Sequence, residues 1–129
     1  MNNLLWYETL NKPFLSPPDW IFTPVWTILY LMILISFILF VKGHYVGNKI
    51  LPLFLFFIQM ILNLAWPIAF FYFENILLGV YILVALCLFL LLTIMSFYKY
   101  SKSASYLLVP YFCWCCFALY LNWGYFVLN

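Results

Sequence analysis

The stretch ILLGVYILVALCLFLLLTIMSFY, residues 76–98, runs for 23 residues without an Asp, Glu, Lys, Arg or His. A helix rises about 1.5 Å per residue, so roughly 20 apolar residues cross a hydrocarbon core of about 30 Å. The same pattern returns on either side of it. Residues 20–41, 50–73 and 105–129 are equally free of charge and of His, and the four segments are 22 to 25 residues long. They predict an all-α integral membrane protein with one domain over residues 1–129. Its helices are expected at about 20–41, 50–73, 76–98 and 105–128, with residues 1–19 outside the bilayer.

Composition excludes the soluble classes. The chain is 70% hydrophobic and 6% charged, where soluble domains carry about 25% charge. A net charge of +2 with no basic run gives no footprint for nucleic acid. The first 19 residues hold Glu8 and Asp19 and no apolar stretch of signal-peptide length.

The links orient the bundle. Lys42, His44 and Lys49 fall between the first two spans, and Lys99 and Lys102 between the last two; Lys12, Glu8, Asp19 and Glu74 fall on the other side. Under the positive-inside rule this places both lysine links in the cytoplasm of a bacterial inner membrane, with both termini outside. Pro24 and Pro52 fall in first turns, where a missing N–H is tolerated. Pro67 and Pro110 lie deeper and predict kinks. The short link at Glu74 and Asn75 makes the second and third helices an antiparallel hairpin.

Three spans carry polar or aromatic stripes. Trp26, Tyr30, Ile33 and Phe37 share a face of the first; Gln59, Asn63, Trp66 and Phe70 of the second; Tyr111, Trp114, Ala118 and Asn122 of the fourth. Ser36 falls on another face of the first span. Amides and indole N–H groups in hydrocarbon need partners, so these stripes should point inward. The third span is nearly all aliphatic and reads as lipid-facing or buttressing. Two readings of the stripes stay open: Gln59, Asn63 and Asn122 glue helices together, or they orient a ligand in a cavity walled by rings. Trp20, Trp123 and Tyr125 lie near span ends and read as interfacial belt residues.

Chemistry-bearing motifs are few. Cys87, Cys113, Cys115 and Cys116 sit within spans with no His or carboxylate near them in sequence, so they read as small apolar fillers and no metal site is expected. The sequence has no phosphate-binding glycine loop, and His44 alone supplies no catalytic set. No cofactor is expected. A multidrug exporter needs a carboxylate within the membrane, and a quinone-linked thiol oxidoreductase needs paired surface cysteines; neither is found here.

The order of these residues resembles the translocator protein family (tryptophan-rich sensory proteins, TspO, also known as the peripheral-type benzodiazepine receptor family). The resemblance rests on Trp6-Tyr7, Leu10, Lys12-Pro13, Pro17-Pro18, Trp20 and Pro24-Val25-Trp26-Thr27-x-Leu29-Tyr30. It continues in Gln59-x-x-Leu62-Asn63-x-x-Trp66-Pro67-x-x-Phe70-Phe71 and in Pro110-Tyr111-x-x-Trp114-x-x-Phe117-Ala118-x-x-Leu121-Asn122. It implies a helical bundle, often dimeric, that binds porphyrins or other hydrophobic small molecules. Tyr7 and Pro17 would belong to a lid. Trp26, Asn63, Trp66, Trp114, Ala118 and Leu121 would form the pocket, and Trp26 and Trp114 match tryptophans used in light-driven porphyrin breakdown.

The same resemblance implies departures. The four spans correspond to helices 2–5 of a five-helix fold, so a first helix is expected to be lacking, and a homodimer or partner helix is expected to close the seam between the first two spans and pair with Asn63 and Gln59. The Asp often found in the fourth family helix is missing around Tyr81 and Ile82, and a Trp common before the Pro-Pro pair is replaced around Leu15. No basic residue follows Tyr125, which argues against sterol binding. The expected function is tetrapyrrole binding with a role in transport, sensing or regulation. The alternatives are a light-dependent porphyrin-degrading enzyme and a family remnant without ligand-binding activity.

Overall fold

The computed structural model describes residues 22–43 and 47–128. The order is α1 (Phe22–Lys42), α2 (Ile50–Pro67), a π-helical turn continuing it (Ile68–Tyr72), α3 (Ile76–Tyr98) and α4 (Lys102–Leu128). All four helices are long and apolar enough to cross a membrane, and no strand occurs among the described residues. The chain is an all-helical, multi-pass bundle.

Local chemistry sets the ends. Asn75 caps α3, its side chain accepting from the Leu78 N–H at 3.0 Å. Glu74 takes a left-handed backbone (φ 54°), which lets so short a link reverse the chain. α4 starts three residues before its charge-free segment because Ser101 accepts from the Ala104 N–H at 3.2 Å, so Lys102 falls inside the helix. At Pro67 the helix loses an N–H, and the chain answers with the wider turn, Phe73 N–H donating to the Ile68 carbonyl at 2.9 Å. α4 runs through Pro110 as one helix.

The helices pack in the order α1–α4–α3–α2, leaving α1 and α2 without comparable backbone contact. In lipid, association rests on packing and interhelical hydrogen bonds, because the tails are as apolar as the side chains. α4 supplies the central face, burying Ala104, Leu108, Tyr111, Cys115 and Ala118. The face of α1 that meets it is Leu29, Ile33, Ser36 and Phe40, which shares only Ile33 with the expected stripe: Trp26 and Phe37 are only partly buried, and Tyr30 is 39% exposed. Ser36 is fully buried and donates to the Ala104 carbonyl at 2.6 Å. Near the lysine links, Phe40 stacks on Phe97 at 4.2 Å, with Phe56 beside them. α3 buttresses, burying Leu83, Leu86, Leu90, Thr93 and Phe97 against its neighbours.

Candidate functional site

Where α1 and α2 stand apart, side chains alone span the gap. Toward the lysine end, Phe37 stacks on Phe56 at 5.0 Å. One helical stretch further along, the Tyr30 hydroxyl of α1 donates to Asn63 Oδ1 of α2 at 2.6 Å. Beyond this bridge a cavity of about 330 Å³ opens between the first half of α1 and the far end of α2, with α4 as its floor. It lies at the end of the bundle opposite Lys42, Lys49, Lys99 and Lys102.

Each wall has a local cause. α1 offers Thr23, Trp26 and Tyr30, separated by three and four residues and therefore on one face. α2 offers Asn63, Trp66 and Pro67, and the π-helical turn after Pro67 brings both Phe70 and Phe71 to the wall. α4 offers Trp114, Ala118, Leu121, Asn122 and Tyr125. Ala118, the smallest of these, leaves open the space that a larger side chain would occupy.

The rings contact one another as well as the cavity. Trp26 and Trp114 meet edge to face at 6.3 Å, and Trp26 lies 5.7 Å from Tyr30. Trp66 stacks on Phe70 at 5.3 Å, and Phe70 lies 5.8 Å from Tyr125. Trp66 is also held by a hydrogen bond, its indole N–H donating to Asn122 Oδ1 at 2.8 Å. Asn122 Nδ2 donates in turn to the Ile76 carbonyl at 3.0 Å, tying α4 to the first turn of α3.

A polar chain leads from the cavity into the core. Asn63 Nδ2 donates to the Tyr111 hydroxyl at 2.7 Å, and Tyr111 donates to Gln59 Oε1 at 2.8 Å. Gln59 and Tyr111 are fully buried and Asn63 is 3% exposed. The missing wall expected from the sequence was to leave Asn63 and Gln59 facing lipid, but the bundle buries both because Tyr30 and Tyr111 close over them. The Asn63 and Asn122 amides are both engaged within the protein. No lining side chain among the described residues is charged. The site therefore offers aromatic surface, the two phenols of Tyr30 and Tyr125 and few free polar groups, which suits a planar apolar ligand.

Of the residues singled out in the sequence, Trp26, Asn63, Trp66, Trp114, Ala118 and Leu121 line this cavity. Tyr7, Pro17, Lys12 and Trp20 lie outside the described residues. Tyr125, read as a belt residue, is 3% exposed and faces the cavity, whereas Trp123 at 52% points outward. The overlooked signal was periodicity: Tyr125 follows Leu121 by four residues and Asn122 by three, on the same face. Thr23 and Pro67 also belong to the wall. Among the described residues no three of His, Cys, Asp or Glu gather as metal ligands.

Comparison with known proteins agrees with this geometry. The family model described as TspO/MBR matches residues 1–128. The chain is 43% identical to a tryptophan-rich protein TspO of Chlorobaculum tepidum, over 96% of this chain and 79% of the relative. It is 40% identical to the protein of that name in Archaeoglobus fulgidus, over 96% and 80%. It is 34% identical to the human translocator protein, over 93% and 72%. With four helices among the described residues long and apolar enough to cross a membrane, and its match over nearly the whole length, the chain belongs to the TspO/MBR family and is a multi-pass membrane protein.

Proposed function

We propose that the cavity binds a porphyrin or related tetrapyrrole within the membrane, in the service of transport, sensing or regulation. The observation that carries this reading is a cavity walled on three helices by indole, phenol and phenyl rings, with no charged side chain among the described lining residues. A planar macrocycle stacks on such rings, each stacked contact adding about 0.5–1.5 kcal/mol beyond area burial. Its carboxylates stay at the mouth, since a bare carboxylate in an apolar site is far costlier than the stacking recovers. Lys12, in the segment that precedes α1, is the cation assigned to meet them. The name translocator protein, carried by the human relative, fits a transport role.

Two further points belong to the same reading. The lysine-rich links face the cytoplasm of a bacterial inner membrane. A second copy, or a partner helix, covers the α1–α2 seam, where backbone contact is far sparser than between the other neighbouring helices.

Saturable quenching of tryptophan fluorescence by added porphyrin, in the protein reconstituted in lipid, tests the binding. Absence of saturation would overturn it. The contact between Trp26 and Trp114 also favours a second reading, light-driven breakdown of the bound ring, in which these indoles donate an electron to the excited ring and dioxygen is the oxidant that opens it. Illumination yielding ring-opened product, with none in the dark, separates that enzyme from a binder.

A further inference from the structure

The chain from Tyr30 through Asn63 and Tyr111 to Gln59 has a direction, and that direction leaves a defect. Each hydroxyl or amide donates toward its neighbour: Tyr30 to Asn63 Oδ1, Asn63 Nδ2 to Tyr111, Tyr111 to Gln59 Oε1. At the buried end, Gln59 Nε2 has no hydrogen-bond partner although the residue is fully buried. At the cavity end, the Tyr30 hydrogen is spent inward, so the phenol shows the cavity only its oxygen lone pairs.

The same atoms can bond in the opposite sense. The two ends of a carboxamide have the same shape, so turning Asn63 and Gln59 end for end disturbs no packing. Gln59 Nε2 then donates to the Tyr111 oxygen, Tyr111 donates to Asn63 Oδ1, and Asn63 Nδ2 donates to the Tyr30 oxygen. The buried N–H finds a partner and a carbonyl oxygen is left bare in its place, the less costly orphan of the two. The Tyr30 O–H, released, points into the cavity and needs an acceptor there.

We propose that this chain is a reversible donor relay, through which the pocket recognises a hydrogen-bond acceptor, a carbonyl-type oxygen on a planar apolar ligand, at Tyr30. Gln59 is a positioning residue: it does not line the cavity, yet it sets which way the relay runs. The relay rests on the pocket reading above and gives it a polar selectivity that aromatic walls alone lack. With Gln59 removed, Tyr111 loses its inward acceptor and donates to Asn63 instead, so the acceptor-recognising sense becomes the resting one and the ligand no longer has to turn the chain around.

The test uses fluorenone and fluorene, planar tricycles of nearly equal size that differ by a carbonyl against a methylene. Their affinities are measured in reconstituted protein by tryptophan quenching. The unmodified chain is expected to prefer fluorenone by about five-fold, the equivalent of one net hydrogen bond. Tyr30→Phe should bring the two affinities together. Gln59→Leu should raise the preference by about two-fold or more, where a merely structural glutamine would leave the ratio unchanged. Gln59→Met, closer in volume, gives the same reading if the leucine variant does not fold, and Tyr30→Phe tests the relay without either. Binding of both probes with no preference, a preference that survives Tyr30→Phe, or a ratio unmoved or lowered at Gln59 would overturn the relay and leave the pocket standing. Binding of neither probe would overturn both.

Discussion

A Cβ placed on Gly79 would lie 2.6 Å from the side-chain oxygen of Asn122, the atom that accepts the Trp66 indole. No real Cβ sits that close, so the bare glycine of α3 is what lets Asn122 reach both Trp66 and the Ile76 carbonyl. Small residues at helix crossings commonly serve this purpose in membranes.

Gly79→Ala should therefore push Asn122 aside and release Trp66 from the cavity wall. The expected cost is about 1–3 kcal/mol of overpacking. A lowered melting temperature in detergent, together with weakened porphyrin quenching, would show it. An alanine variant with unchanged melting and binding would mean that Asn122 does not hold the wall.

Ala118 leaves space in the cavity floor and is 8% exposed. Ala118→Leu should fill that space and abolish saturable porphyrin binding, while circular dichroism and melting stay close to those of the unmodified chain. Retained affinity would place the ligand elsewhere.

Trp26 should act through its ring face more than through its N–H. Trp26→Phe is then expected to weaken porphyrin binding less than Trp26→Ala, which loses about 0.5–1.5 kcal/mol of stacking along with buried area. Titrations giving equal losses for the two variants would contradict a stacking role.

Orientation can be read with thiol reagents in a background where Cys87, Cys113, Cys115 and Cys116 are replaced. Ser103, exposed in the first turn of α4 beside Lys102, and Tyr72, exposed at the opposite end, mark the two sides. With four lysines at one end and Glu74 at the other among the described residues, Ser103→Cys should label only from the cytoplasm and Tyr72→Cys only from outside. The reverse pattern would invert the bundle.

Much of the architecture was legible in the residue order because lipid allows so little else. Backbone groups in hydrocarbon must bond within their own segment, so four charge-free stretches of spanning length could only be helices. The stripe of Gln59, Asn63 and Phe70, and that of Tyr111, Ala118 and Asn122, declared their buried faces because amides and phenols in lipid need partners. For α1 the same logic held only in part: of its stripe Ile33 makes the contact with α4, beside Leu29 and Ser36, while Trp26 and Tyr30 line an opening. Aromatic rings tolerate lipid, a cavity or a core equally, so periodicity marks their face without saying what the face meets.

What the sequence by itself determined, then, was the number of spans, their hairpin order, the end that carries the lysines and the residues with polar atoms to satisfy. Each follows from a local rule: the rise of a helix, the length of a link, the cost of a bare charge or amide in hydrocarbon. Only the tertiary structure decided which partner each polar atom took. Tyr30 reaching across to Asn63, Tyr111 closing on Gln59, Asn122 fitting against Gly79 and Tyr125 turning inward are pairings between residues 33 to 52 positions apart or set by helix rotation, and they depend on distances that exist only once the four helices have packed together.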